Sequence, residues 1–343
     1  MGVTQSQLAR LAGVSQNSVH RALHGKSGLA DSTRHRILTL AAEHGYRLNA
    51  SARSMRGGRQ HAVALVMPSG RGVHLPLGLA LSALGKCEEL GLHLHLAQLP
   101  GEELADEGRV PTVLSELAVD GLLINHILDV APNMIDLIDR YRIPSIWINS
   151  LQEQDCVRPD DYAAGRDATR LLVELGHRRI AFLHFRSPLA DAHYSVGARL
   201  AGYKDVLGGE GIGPRVAEAP FSPLSLRGSQ AKDDRLRVVE ALLSGDARPT
   251  GVVCYEADEA SIALCAAYRL GLRVPEEVSV VAFAQQTPEA CGIPVTTLEV
   301  PNWTIGAIAI EALEEKIATP GQSLSPRLAA FRLLDGATCA PPG

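Results

Sequence analysis

The sequence predicts an α/β body of two doubly wound, parallel-sheet lobes behind an N-terminal all-α domain built on a helix-turn-helix. Three observations predict it. The first sixty residues read as three short helices and carry nine Lys/Arg against two acids. From residue 61 onward, nearly unbroken apolar runs alternate with helix-length segments, the pattern of parallel sheets covered on both faces. About ten such strands exceed one comfortable sheet, so the body divides into two lobes.

At 343 residues the chain is too long for one typical core. Apolar residues make up 46% and aromatics only 4%, so the cores must be built from Leu, Val, Ile and Ala. No apolar run approaches membrane-spanning length and "MGVTQSQLARLAG" lacks a signal-peptide pattern. A cytoplasmic protein with no membrane partner is expected. The cysteines (Cys87, Cys156, Cys254, Cys265, Cys291 and Cys339) are scattered with no CxxC, which predicts reduced thiols and no metal or cofactor site. The chain holds 33 Lys+Arg and 38 Asp+Glu, so beyond residue 60 there remain 24 basic residues against 36 acidic. A basic module on an acidic body points to a polyanion partner at one end.

In "VTQSQLARLAGVSQNSVHRALHG", Thr4 and Gln7 form a capping box for a first helix to about Leu11. Gly13 takes the turn and Ser15 caps a second helix that runs to Leu23. A third begins near Asp31, with Ile37, Leu38, Leu40 and Ala41 as its apolar stripe. On the second helix Gln16, Asn17, His20 and Arg21 share one polar arc, while Val19 and Ala22 lie opposite and can pack on Leu8 and Leu11. Long hydrogen-bonding side chains gathered on one face suit major-groove readout, where Arg pairs with guanine and Asn or Gln with adenine. For an isolated helix the same arc is an ordinary solvated face. The turn, the third helix and the basic charge decide for helix-turn-helix. His20 and His24 are spaced i, i+4, but nothing nearby completes a metal set.

These residues, with "TRHRILTLAAEHGYRLNASARSMRGG" after them, resemble the DNA-binding headpiece of the lac-repressor (LacI/GalR) family. The resemblance makes Gln16, Asn17 and Arg21 base-reading positions and Ser15, Ser18 and Thr33 phosphate-contacting ones. His20 stands where the family usually has a small serine, which implies an unusual operator preference. It also identifies "NASARSMRGG" (49–58) as a hinge helix ordered on DNA, with Asn49, Ala52 and Met55 toward the minor groove and Arg53 near phosphate. Met55 would replace the family's wedge leucine. The alternative is a flexible linker with an incidental methionine, since so short a helix is marginal in water.

In the body, strands are expected at 62–68, 93–99, 121–126, 144–149, 178–184, 251–255 and 278–283. Helices are expected at 77–90, 161–175, 194–208, 258–270 and 302–317. "VDGLLIN", "LVELGHRRIAFL", "LGLRVPEEVSVVAF" and "PVTTLEVP" extend the resemblance over nearly the whole chain. It implies a fold similar to periplasmic sugar-binding proteins, with an effector held between two lobes. The expected division is 1–46 helix-turn-helix, 47–60 hinge, and 61–343 effector-binding and dimerisation domain. Within the last, one lobe takes about 61–159 plus 290–320, and the other about 160–289 plus 321–343.

By position, the family's effector contacts fall on Ser69, Asn125, Trp147, Asn149 and Arg199. Arg199 offers a planar fork to two hydroxyls or a carboxylate. Asn125 and Asn149 each end a strand and offer both donor and acceptor. Trp147 can stack on a sugar or pack in the core. After "GVVCY" the chain reads "EADE": Ala257 falls at the family's acidic position unless an insertion restores Asp258. After "VSVVAF" the family's acidic pair is replaced by Ala284 and Gln285. A sugar is the first expectation for the effector, ahead of a purine, nucleoside or sugar acid.

The rival readings are a sugar-processing α/β enzyme with a basic appendage and a sugar-binding transport protein. The chain has no G-x-S-x-G elbow, P-loop or HExxH, and "GGEGIGP" (208–214) follows a helix and reads as a loop. Asp160 and Asp161 read as helix caps. The prediction is therefore a regulator and not an enzyme: a repressor of a pseudo-palindromic operator, controlled by a small molecule. "RLLDGATCAPPG" lacks apolar heptads, so a homodimer is expected.

Overall fold

The computed structural model describes residues 5–23, 27–43, 59–67, 75–98, 119–125, 135–136, 138, 142–185, 193–219, 229–290, 292–319 and 321–343. The chain separates into two compact units, Met1–Gln60 and His61–Gly343.

The first unit consists of α1 (Gln5–Ala12), α2 (Gln16–Leu23) and α3 (Asp31–Glu43). Gly13, at φ +61°, makes the turn that a side chain would oppose. Ser15 Oγ then accepts the Ser18 N–H at 3.1 Å and caps α2. Thr4 of the expected capping box lies outside the described residues. Leu8, Ala9 and Ala12 of α1 pack on Val19 and Ala22 of α2 and on Ile37 and Ala41 of α3. Two expected core residues are outside it: Leu11 is 52% exposed and Leu38 43%. Three short helices converge on one small centre, which admits a narrow apolar stripe of each and turns its neighbours to solvent.

In the second unit, sheet A runs β13-β5-β4-β3-β1-β2, all parallel. Its strands are β1 (Ala62–Met67), β2 (His93–Gln98), β3 (Gly121–Ile124), β4 (Ser145–Ile148), β5 (Cys156–Pro159) and β13 (Arg327–Ala329). One face packs under α4 (Leu77–Glu89) and α9 (Asn302–Ala318), with Leu65, Leu123, Ile146 and Ile148 against Ala83, Cys87, Ile310 and Leu313. The other buries Val66, Leu122, Ile124, Trp147 and Ile138. Strands covered on both sides read as the unbroken apolar runs of the sequence.

Sheet B has the order β14-β12-β9-β8-β6-β7 and is parallel apart from its edge strand β14, which runs antiparallel to β12. It comprises β6 (Ile180–Phe185), β7 (Arg215–Ala219), β8 (Gly251–Cys254), β9 (Ser279–Ala284), β12 (Thr296–Glu299) and β14 (Arg332–Leu334). A small antiparallel pair, β10 (Glu289–Ala290) and β11 (Ile293–Pro294), lies between β9 and β12 in sequence. On one face are α5 (Asp161–Glu174) and α6 (Tyr194–Gly209), on the other α7 (Ser229–Leu243) and α8 (Ala257–Arg269). The tail is stitched on: Thr338 Oγ1 accepts the Thr296 N–H at 2.9 Å, and the His177 ring bridges Thr250 Oγ1 and the Ala340 carbonyl, both at 3.0 Å.

The lobe boundaries differ from the expectation. Residues 296–299 pair with β9 in sheet B, so 290–320 does not belong wholly to the first lobe. Residues 327–329 pair with β5 in sheet A, so 321–343 does not belong wholly to the second. The chain changes sheet after β5, after β12 and between β13 and β14. Each change is a connector of one or two residues between elements that individually suit either sheet, so local pattern cannot assign them.

Candidate functional site

On the first unit, α2 turns Gln16, Asn17 and Arg21 to solvent while Val19 and Ala22 are buried. Ser15 and Ser18 hydroxyls lie 2.9 Å apart at the start of the helix. His20, Ser18 and Thr33 are half-buried. Arg34 donates to the carbonyls of Arg21 and Ala22 at 3.4 Å, holding the end of α2 against α3. The arrangement presents a rigid helix with amide and guanidinium donors on one face, which is what base-edge readout requires. Asn49, Ala52, Arg53 and Met55 lie outside the described residues.

In the body, both sheets have their topological switch where the strand order reverses, between β1 and β3 and between β6 and β8. Ligands bind doubly wound sheets at the carboxyl ends of strands beside that point. Asn125 sits there, buried after β3, its N–H bonded to the Val66 carbonyl at 2.9 Å. Ser69, after β1, is outside the described residues. Asn149 follows β4 at φ +54°, a left-handed conformation that Asn tolerates. Its Oδ1 accepts the Tyr194 hydroxyl from α6 at 2.9 Å, a bond between the two lobes. Burial, reinforced by the Asp161 charge, pushes the Tyr194 hydroxyl up, so Tyr194 stays a donor.

Arg199, on α6, is 6% exposed. Its Nε donates to Asp161 Oδ1 at 2.8 Å and its Nη1 to the Tyr255 carbonyl at 3.0 Å. The guanidinium lies 4.5 Å from the Phe283 ring centre, 4.9 Å from Tyr255 and 5.4 Å from Phe331. Phe331 belongs to the connector between β13 and β14, and Asp161 opens α5 just past the first crossover. The pair is therefore seated where the chain passes between lobes. Asp161 Oδ2 is buried with no hydrogen-bond partner, an acceptor that a hydroxyl or amine can satisfy. A hydrogen-bonded row runs alongside: His193 Nδ1 to Ser195 Oγ at 2.7 Å, and Ser195 Oγ to the Tyr255 hydroxyl at 2.8 Å.

Sequence reading missed Asp161. Of the Asp160–Asp161 doublet, only Asp160 caps α5, accepting the Ala163 N–H at 3.1 Å. The signal was the doublet itself, since one cap needs one carboxylate. Trp147, for which stacking and core packing were both open, is 4% exposed and packed with Ile124, Ile138 and Cys156. It borders a cavity of ≈ 850 Å³ beside Ile143, Pro144 and Asp155, which precede β4 and β5, and so is not grouped with Asn125 and Asn149. Asp258 and Gln285 are exposed.

The buried carboxylate of that region is Glu259, which the sequence reading did not single out. It accepts the Phe185 N–H at 2.8 Å and the Glu256 N–H at 3.1 Å, joining β6 to α8. Burial raises it to about 7, and the neighbouring Glu256 and Asp258 charges act in the same direction. Among the described residues there is no group of three His, Cys, Asp or Glu able to hold a metal, and no helix long and apolar enough to cross a membrane.

Comparison with known proteins follows the same division. Residues 6–49 match the family described as bacterial regulatory proteins, lacI family, and residues 169–339 match a periplasmic binding protein-like domain. The chain is 30% identical over 289 residues to the HTH-type transcriptional regulator AscG of Escherichia coli (strain K12), covering 82% of this chain and 81% of that one. Its fold matches the lac repressor dimer bound to operator and the anti-inducer ONPF at a TM-score of 0.77 and 23% identity, covering 99% and 100% of the two chains. It also matches a transcriptional regulator CelR-cellobiose complex at a TM-score of 0.62 and 23% identity, covering 98% and 99%. This chain is a member of the lacI family of bacterial regulatory proteins, a DNA-binding transcriptional regulator.

Proposed function

We infer that this regulator is a repressor whose operator affinity is set by a sugar bound between the two lobes. The observation that carries the reading is the Arg199–Asp161 pair at the lobe crossover, with a buried acceptor left over on Asp161 and Asn149 beside it across the Tyr194 bond. Guanidinium, carboxylate and carboxamide together match the alternating donors and acceptors of vicinal hydroxyls. The structurally similar CelR binds the sugar cellobiose, in keeping with this choice. A ligand controls DNA binding only if it prefers one lobe arrangement, and a site at the crossovers is where such a preference arises.

Base reading belongs to Gln16, Asn17 and Arg21, phosphate contact to Ser15, Ser18 and Thr33, and wedge insertion to Met55 of the 47–60 hinge. The working form is a homodimer. Leu77, Leu81 and Leu84 form one exposed stripe of α4, next to exposed Trp303, and Leu96 is exposed on the edge strand β2. That apolar face suits a second copy of the chain, and the operator-bound lac repressor is itself a dimer.

The test is a mobility-shift assay on palindromic operator-like DNA, with and without a panel of mono- and disaccharides, run beside turnover assays on the same sugars. Saturable, sugar-dependent change in specific binding is expected. Turnover without sequence-specific DNA binding would sink the proposal.

A further inference from the structure

Sheet B has a second concave site, at the edge opposite to Arg199. Ile180 opens β6, Arg215 opens β7 and Pro249 lies just before β8; these and the turn after α6 line a cavity of ≈ 490 Å³. That volume is in the range of small-molecule sites. The turn is part of "GGEGIGP", a glycine-rich stretch with no role in the functions above. The floor is held rigidly: the buried Tyr203 hydroxyl lies 2.9 Å from the Ile180 carbonyl and accepts the Arg215 N–H at 3.0 Å.

Three guanidiniums line it, Arg178, Arg179 and Arg215, against one carboxylate, Glu210. Each is partly pinned by backbone. Arg178 donates to the Val173 carbonyl at 3.3 Å, Arg179 to Arg248 at 2.9 Å, and Arg215 to Ala247 at 2.9 Å and Leu242 at 3.4 Å. Only Arg178 has a carboxylate partner among the described residues, Glu210 at 4.0 Å. With five N–H donors per guanidinium, these bonds use only a minority of the donors among the described residues. The formal lining charge of three arginines and one glutamate is +2, on a body that is otherwise acidic.

The helix ends sharpen the choice of ligand. Val173 and Leu242 belong to the last turns of α5 and α7, whose partial negative charge weakens the long-range field of Arg178 and Arg215. A ligand must then be held by short-range forked hydrogen bonds rather than by charge alone. The geometry points to a second ligand site here, taking the dianionic phosphate monoester of a small polyol. Phosphate oxygens match the arginine forks and two negative charges match the lining. Glu210 accepts from a hydroxyl of the polyol, and Ile180 and Ile212 meet its carbon face.

The experiment is calorimetric titration of the full-length protein, at about 0.15 M salt, with a hexose 6-phosphate, inorganic phosphate and citrate. Saturable one-to-one binding of the hexose 6-phosphate is expected. Arg179→Gln and Arg178→Gln should each weaken it at least ten-fold, with thermal melting unchanged. Arg179→Lys should weaken it similarly, because charge is kept but the fork is lost. Arg178→Gln and Arg179→Gln leave the Arg199–Asp161 crossover untouched, so loss of binding in them separates this site from the crossover whatever the fate of the sugar proposal. Citrate binding as tightly as the sugar phosphate, full affinity in Arg179→Lys, or only weak uniform binding of all three anions overturns the assignment.

Discussion

Truncating one side of the Arg199–Asp161 pair leaves an uncompensated charge in the protein interior. Their side chains are 8% and 1% exposed, so screening by water is small. Asp161→Asn is expected to destabilise the body by about 3–5 kcal/mol, read from urea melts monitored by circular dichroism. Asp161→Asn should also abolish the response to sugar at concentrations where folding is intact, whereas a merely structural role would spare it. Glu259 has the opposite pH behaviour from an ion-paired acid. Its carboxyl is raised from 4.5 to about 7, so the folded chain holds a proton that the unfolded chain releases. The associated stability is present below about 4.5 and is lost as pH rises toward 7, by on the order of 3 kcal/mol. Glu259→Gln should flatten that part of the stability–pH curve; an unchanged slope would assign it to another group. Arg199 was legible because a distinctive "ARLAGY" surrounds it. Asp161 and Glu259 were not, because adjacent acids look alike until the helix phase turns one inward.

The helices bring Asp161 and Arg199 together only because α5 and α6 approach closely. A Cβ at Gly165 would lie 2.2 Å from the Arg199 carbonyl oxygen, and one at Gly202 2.2 Å from the Tyr162 carbonyl oxygen. Neither neighbour is a side chain that can swing away. Gly202→Ala must therefore push the helices apart, at a cost of about 1–3 kcal/mol in chemical denaturation. Arg199 would move with α6, so sugar affinity should fall in the same variant. The doubly covered strands were readable as apolar runs, and the observed bounds of β1, β8 and β9 lie within one residue of expectation. The three-residue β13 and β14 were not, since Arg-Leu-Ala and Arg-Leu-Leu carry no period. Likewise α7 is polar enough at its start to look like loop, and it is placed by Val239 and Leu243 packing under sheet B.

For the whole molecule, the proposed repressor reads two half-sites with two headpieces, which requires a dimer. Leu84→Arg, in the middle of the exposed α4 stripe, should convert the dimer to monomers in analytical ultracentrifugation. Operator affinity should fall with it, while the monomer keeps its fold because residue 84 is already 51% exposed. A dimer that survives Leu84→Arg would place the interface elsewhere.

The sequence by itself determined the class of the protein. Helix-turn-helix spacing, the charge contrast between the first sixty residues and the rest, and strand-helix alternation are local properties, set by i, i+3 and i, i+4 neighbours and by period. The tertiary structure alone decided which sheet each connector enters, that Trp147 packs beside Ile124, and that Asp161 meets Arg199. These are contacts between residues tens of positions apart, made by close helix packing and three crossings between sheets. No local preference encodes them, because the same short segment is equally stable in either lobe until its long-range partners are in place.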